Sequence, residues 1–221
     1  TIQDNEGAPV VASVTSDAQT EGTALVHTVT LSGASAAPAT YSFSLAGVTA
    51  TAGSDFTNAP VFSDGVTLAA GIITVPAGVT SFTVTVPTTA DTIDEANETY
   101  TLTVGAASGT GTINDDDAAP TIQGVTSATQ VEGTALVHTV TLTNASSSST
   151  SFAYTLGGGS ATSGTDYTNP PTFSNGVTLV AGNLIVPAGV TSFTVTVPTT
   201  LDTIDRSEER RVGKECTREC R

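Results

Sequence analysis

The segment EGTALVHTVTL at residues 21–31 recurs unchanged at 132–142, and VPAGVTSFTVTVPTT at 75–89 recurs at 186–200. Both pairs share one offset of 111 residues, which holds without a gap from Thr1 against Thr112 to Asp94 against Asp205, with about six positions in ten identical. The chain therefore has to fold as one design used twice. A period of 111 is far longer than the roughly 20 to 50 residues of a solenoid repeat and close to a β-sandwich of about 100. Such repeats form separate beads rather than one continuous stack.

Inside the unit the apolar period is two. Leu25, His27, Val29 and Leu31 share one parity, as do Tyr41, Phe43 and Leu45, then Phe82, Val84 and Val86, then Tyr100, Leu102 and Val104. Alternation of this kind marks strands with one buried face. Three further stretches, 10–15, 66–75 and 109–113, bring the expectation to about seven strands separated by Gly, Pro, Asn and Asp turns. No stretch has helical spacing. The expected fold class is all-β, as tandem immunoglobulin-like antiparallel sandwiches. The repeat register sets the expected boundaries. Residues 1–8 carry the end of a preceding repeat, because TIQDNE at 1–6 aligns with TINDDD at 112–117. Residues 9–117 form a complete unit. Residues 118–205 form a second unit lacking its last strands, which should be unstable alone because it leaves sheet edges and an apolar face open.

All six basic residues (Arg206, Arg210, Arg211, Lys214, Arg218, Arg221) and both cysteines (Cys216, Cys220) fall after residue 205. At Arg206 the second copy stops tracking the first. RSEERRVGKEC resembles the translation of a sequencing-library adapter, so residues 206–221 are read as a non-native tail and set aside. Two cysteines without further ligands are a weak metal signal.

The remaining body is acidic, with no Lys or Arg. It cannot neutralise phosphates, so nucleic acid is not expected as a partner and anionic membrane surfaces are poor candidates. No apolar run approaches the roughly 20 residues of a membrane span, so direct membrane insertion of this segment is not expected. Cations are the natural partner. Only 12% of residues are charged, about half the usual share of roughly 25%, so where the acids sit is informative. Most of those within residues 9–117 sit at segment ends: Glu21 before a strand, Asp55 in a turn, Asp91, Asp94, Glu95 and Glu98 in one loop, and Asp115, Asp116 and Asp117 at the exit of the unit. Loops from several strands gather at each end of a sandwich, so these dispersed positions can converge. Calcium takes six to eight oxygen ligands in flexible geometry, magnesium prefers fewer carboxylates with more water, and zinc asks for Cys or His. The alternative is a solvated, salt-adapted surface, but that would scatter charge over the strands. His27 and its copy His138 lie on the apolar parity with no second His or Cys nearby, and are read as buried, hydrogen-bonded residues rather than ligands.

Glu21-Gly22 ahead of a strand, ATAGSDF at 50–56, the pattern D-x-x-x-E-x-x-E at 91–98 before Thr99-Tyr100, and I-x-D-D-D at 113–117 together resemble the Calx-beta domain. The resemblance spans residues 9–117 and most of the second unit. It implies a seven-stranded sandwich binding several calcium ions at one end, as in sodium/calcium exchangers, an integrin subunit and repeat arrays of bacterial surface proteins. It assigns calcium ligation to Glu21, Asp55, Asp91, Glu95, Glu98, Asp115, Asp116 and Asp117. Asp94 falls outside the pattern. With residues 206–221 set aside, the second unit keeps Glu132, Asp166 and Asp202, a partial site expected to be weak.

The expected role is a calcium-binding stalk or spacer module of a long secreted or cell-surface bacterial adhesin-like protein, with calcium and adjacent repeats of the same chain as partners. The alternative is a regulatory calcium-sensor domain of a membrane-associated protein. Catalysis is not expected: no nucleophile stands with a paired base, and without Trp there is no aromatic platform for a sugar.

Overall fold

Alternating apolar and polar residues leave a strand one face to bury, and two such sheets must bury their faces against each other. The computed structural model, which describes residues 7–157 and 159–203, shows this arrangement twice. The chain divides between Ala118 and Ala119 into two compact units.

The first unit contains β1 (Val11–Val14), β2 (Asp17–Thr20), β3 (Leu25–Leu31), β4 (Ala39–Gly47), β5 (Val61–Phe62), β6 (Thr67–Ala69), β7 (Ile72–Val75), β8 (Ser81–Val86), β9 (Ile93–Asp94), β10 (Glu98–Val104) and β11 (Ala107–Asn114). One sheet runs β1-β3-β8-β5 and the other β2-β11-β10-β4-β7-β6. The parity read from the sequence is the parity that is buried. Leu25, His27, Val29, Phe82, Val84, Val86, Tyr100, Leu102 and Val104 face the core, while Thr28, Thr83, Thr101 and Thr103 on the other parity are more open. The two sheets enclose one apolar cluster, closed at one end by Phe56, whose ring lies 5.0 Å from that of Tyr100.

Four features differ from the sequence expectation. The stretch 66–75 is a hairpin, β6 and β7, because Ala70 (φ 48°) and Gly71 (φ 76°) turn the chain with the left-handed dihedrals of a two-residue loop. The stretch 10–15 is followed by β2, in which the chain changes sheets. β2 pairs with β11 in parallel, Asp17 with Gly111 through Thr20 with Asn114, so the second sheet is not purely antiparallel. DAQT has no apolar alternation, which hides it from a periodicity reading. The short β5 and β9 were also not expected.

β10 and β11 form the hairpin that closes the second sheet, with Tyr100 directly opposite Gly111. A Cβ on Gly111 would lie 2.1 Å from Tyr100 Cζ, so the ring lies flat over a residue that must be glycine. The Tyr100 hydroxyl meets His27 Nε2 at 2.8 Å, and His27 Nδ1 meets the Thr15 carbonyl at 2.7 Å. A carbonyl only accepts, so Nδ1 carries the proton and Nε2 accepts from Tyr100. The histidine is fully buried and satisfied, as expected of it.

The second unit contains β12 (Ile122–Val125), β13 (Leu136–Leu142), β14 (Ala145–Ser146), β15 (Thr150–Ala153), β16 (Thr172–Phe173), β17 (Thr178–Val180), β18 (Asn183–Val186) and β19 (Ser192–Val197). Its first sheet, β12-β13-β19-β16, copies that of the first unit; its second, β15-β18-β17, has three strands. Among the described residues there is no counterpart of β10 and β11. There is none of β2 either, since β2 pairs only with β11. The expectations for residues 1–6 and 206–221 lie outside the described residues. No described helix is long and apolar enough to cross a membrane.

Candidate metal centre

Glu21 follows the last residue of β2, and its N–H donates to the Asn114 carbonyl (3.0 Å), which fixes it beside the exit of β11. Gly22 turns the chain at φ 73°, and a Cβ there would meet Ala90 Cβ at 2.8 Å. Only glycine lets the 20–23 turn approach the 87–92 loop this closely. The approach sets the Asp91 N–H on Glu21 Oε1 (3.0 Å), while Asp91 Oδ1 accepts from the Ile93 N–H (2.7 Å).

Asp55 is held by its own turn. Its N–H donates to the Thr51 carbonyl (3.0 Å), its carboxylate accepts from the Thr51 N–H, and its carbonyl accepts from the Thr89 N–H (3.0 Å). The fully buried Phe56 anchors that turn to the core. Glu98 opens β10 opposite Ile113, so strand pairing sets it beside the exit strand. Asn97 ties the same two segments through side chains: its Nδ2 donates to Asn114 Oδ1 (3.1 Å) and its Oδ1 accepts from the Asp115 N–H (3.2 Å). Asn97 and Asn114 are positioning residues that a search for carboxylates passes over. Their only sequence signal is that each adjoins an acidic cluster.

All eight acids singled out in the first unit are brought to one end of it. Glu21, Asp116 and Asp117 form one group and Asp55, Glu95 and Glu98 another, with the carboxylate oxygens of each group within 4.8 Å of one another. Asp91 and Asp115 line the same small cavity as Glu21, Asp55, Glu95 and Glu98. Its volume is about 10 Å³, on the order of one water-sized sphere. Asp94 belongs to neither group.

With no Lys or Arg before residue 206, nothing basic in the described chain offsets these charges. Burial raises the Glu98 carboxyl to about 7, helped by its hydrogen bond with Asp55 and by the charges of Asp55, Glu95 and Glu21. Burial also raises Glu95, with Asp91 and Asp55 adding repulsion. Glu21 is raised by burial and by Asp91, Asp117 and Asp115, against the lowering effect of the Asp91 N–H. Asp117 is raised by desolvation and then by Asp115 and Asp116. Asp115 Oδ1 and Asp117 Oδ2 are buried with no hydrogen-bond partner among the described residues. Orphaned carboxylate oxygens in an oxygen-only donor set fit a hard divalent cation; without Cys or His the set does not fit zinc.

The second unit repeats part of this frame. The Asp202 N–H faces Glu132 Oε2 at 3.4 Å, the Asp166 carboxylate accepts from the Thr162 N–H at 2.6 Å, and the Asp166 carbonyl accepts from the Thr200 N–H at 2.9 Å. Glu132, Asp166 and Asp202 thus keep the places of Glu21, Asp55 and Asp91. They do not form a ligand group of the kind found in the first unit.

Fold and site define a class: tandem immunoglobulin-like sandwiches with an acidic, cation-type loop cluster at one end. The sequence matches the Calx-beta domain over residues 10–126 and again over 115–212, and the chain belongs to that family. No curated protein matches it in sequence. Among solved structures it is similar to the calcium binding domain CBD12 of CALX1.1, at 14% identity and a TM-score of 0.38 over 85% of this chain and 73% of that one. It is also similar to CBD12 from CALX1.2, at 14% identity and a TM-score of 0.39 over 96% and 90%. The I9-I11 tandem from titin follows at 9% identity and a TM-score of 0.24, over 86% and 55%.

Proposed function

We propose that the first unit binds calcium through Glu21, Asp55, Asp91, Glu95, Glu98, Asp115, Asp116 and Asp117, and that the chain is a non-catalytic stalk or spacer segment of a long secreted or cell-surface bacterial adhesin-like protein. The observation that carries this reading is where the ligand groups lie. Asp116 and Asp117 immediately precede the division between the units, and their carboxylates group with Glu21 from the other end of the domain's chain. Without a cation these acids repel one another and the exit segment is pushed away from the domain. With calcium bound, the same acids pin that segment to the β2–β3 turn, and a repeated pin of this kind stiffens an array of beads. The three remaining acids of the second unit support weak binding at most.

The experiment is small-angle scattering of the full chain in chelator and in millimolar calcium. The reading requires a narrower, more extended distribution of lengths with calcium. A distribution indifferent to calcium would remove the spacer role and leave the regulatory sensor, whose readout would be the activity of another domain.

A further inference from the structure

The two units carry one turn with different residues at its tip. In the first, Ser63-Asp64-Gly65-Val66 leads from β5 to β6, with Asp64 at φ 54°, Gly65 at φ 72° and the Val66 N–H donating to the Ser63 carbonyl (3.1 Å). In the second, Ser174-Asn175-Gly176-Val177 leads from β16 to β17. Asn175 and Gly176 take the same dihedrals, φ 54° and 72°, and the Val177 N–H donates to the Ser174 carbonyl (3.1 Å). Two successive left-handed residues inside a closed four-residue turn mark type I′, which favours Asn-Gly and Asp-Gly at its centre. Residues 175–176 are the one Asn-Gly pair in the chain.

The same pair is chemically reactive, because a glycine lacks the side chain that would keep its backbone nitrogen away from the asparagine Cγ. Asn175 and Gly176 are both exposed, and the Gly176 N–H donates to no described residue. A Cβ added at Gly176 would meet only Pro187 Cγ, at 3.4 Å, so space around that nitrogen is open. We propose that Asn175 is a site of spontaneous deamidation in the folded protein. The Gly176 nitrogen bonds to Asn175 Cγ, the Cγ–Nδ2 bond breaks, and Nδ2 leaves as ammonia with the proton that Gly176 gives up. Water then opens the cyclic imide at one of its two carbonyls, giving Asp or a backbone routed through the side chain. The fold slows the first step: Asn175 Nδ2 donates to the Ser192 carbonyl (2.6 Å), which holds the amide on β19 and opposes its swing onto Gly176. Asp is a product this turn accepts, since the first unit already has it there. Asp64 accepts from Ser63 Oγ (2.6 Å), and Ser174 stands in the place of Ser63, each hydroxyl accepting a strand N–H, from Thr83 and Thr194, at 2.7 Å. The rerouted backbone adds a carbon between residues 175 and 176 and stretches the closing bond of the turn.

The test holds the full chain at pH 8 and physiological temperature, in buffer and in guanidinium, and samples it over weeks. Mass spectrometry follows the chymotryptic peptide 174–179, whose only asparagine is Asn175. The expected result in buffer is conversion to the Asp mass, at least threefold slower than in guanidinium and blocked in Asn175→Gln, whose longer side chain must close a larger ring. Asn175→Asp makes the product directly and should melt as the unaltered chain does. No conversion in buffer would overturn the inference, whatever happens in guanidinium. So would equal rates in the two solutions, which would show that the Ser192 bond restrains nothing, or a lower melting of Asn175→Asp. None of this depends on calcium.

Discussion

Replacing Glu98 by Gln should change stability in opposite directions with and without calcium. Glu98 is raised from 4.5 to about 7 by burial, by its bond with Asp55 and by three neighbouring carboxylates, so its ionised form opposes folding at neutral pH. That rise sets a ceiling of about 3 kcal/mol. The side chain is only partly buried, and solvent screening brings this down to about 1 kcal/mol. Glutamine keeps the shape, donates from its amide to Asp55 and carries no charge. In a domain of this size about 1 kcal/mol moves the midpoint by about 4 °C. Scanning calorimetry at pH 8 in chelator should therefore place the first-unit transition of Glu98→Gln a few degrees above that of the unaltered protein. In millimolar calcium the order should invert, because one carboxylate of the Asp55, Glu95 and Glu98 group proposed to hold calcium is gone. A variant less stable in chelator would show that the Glu98 charge does not oppose folding, and one whose calcium-induced rise equals that of the unaltered protein would show that Glu98 does not hold calcium.

The same carboxyls set the pH dependence of the metal-free domain. Glu98, Glu21, Glu95 and Asp117 are all raised in the fold, so the stability their protonated forms contribute is complete below their unfolded values and is lost as pH rises, for Glu98 between about 4.5 and 7. Midpoints in chelator should fall across that window; a rise would contradict the assigned shifts. Tyr100→Phe leaves His27 Nε2 buried without its donor and should cost about 1–3 kcal/mol by urea denaturation. A neutral result would mean that water or another group satisfies the imidazole. Gly111→Ala sets a methyl 2.1 Å from Tyr100 Cζ and should cost about 3 kcal/mol or more, read as loss of the first-unit transition, while Gly124→Ala, with open space around it, serves as the near-neutral control.

The sandwich was legible because a half-buried strand leaves a period-two trace, and Leu25, Val29, Phe82, Val84, Leu102 and Val104 all fall on the buried parity. β2 left none. It is held by its parallel pairing to β11, and DAQT supplies backbone rather than apolar side chains. The hairpin at 66–75 was hidden because Ala70 takes a dihedral that glycine usually supplies. The acids of the site were legible as residues, since carboxylates crowd the loops of a chain poor in charge. Their division into two groups was not, because it depends on which loop tip reaches which. That is decided by Gly22 against Ala90 and by the Asn97–Asn114 bridge. Neither contact has a signature along the chain.

The proposed function rests on calcium binding at the acid cluster of the first unit. Isothermal titration of the full chain with calcium, in a background of equimolar magnesium, tests it most directly when set beside Glu21→Gln and Glu132→Gln. The expected result is saturable calcium binding that Glu21→Gln weakens at least tenfold and that Glu132→Gln, in the partial second site, leaves nearly unchanged. Absence of saturable heat, or equal loss in both variants, would contradict it and leave the acids as solvated decoration on a repeated β-sandwich.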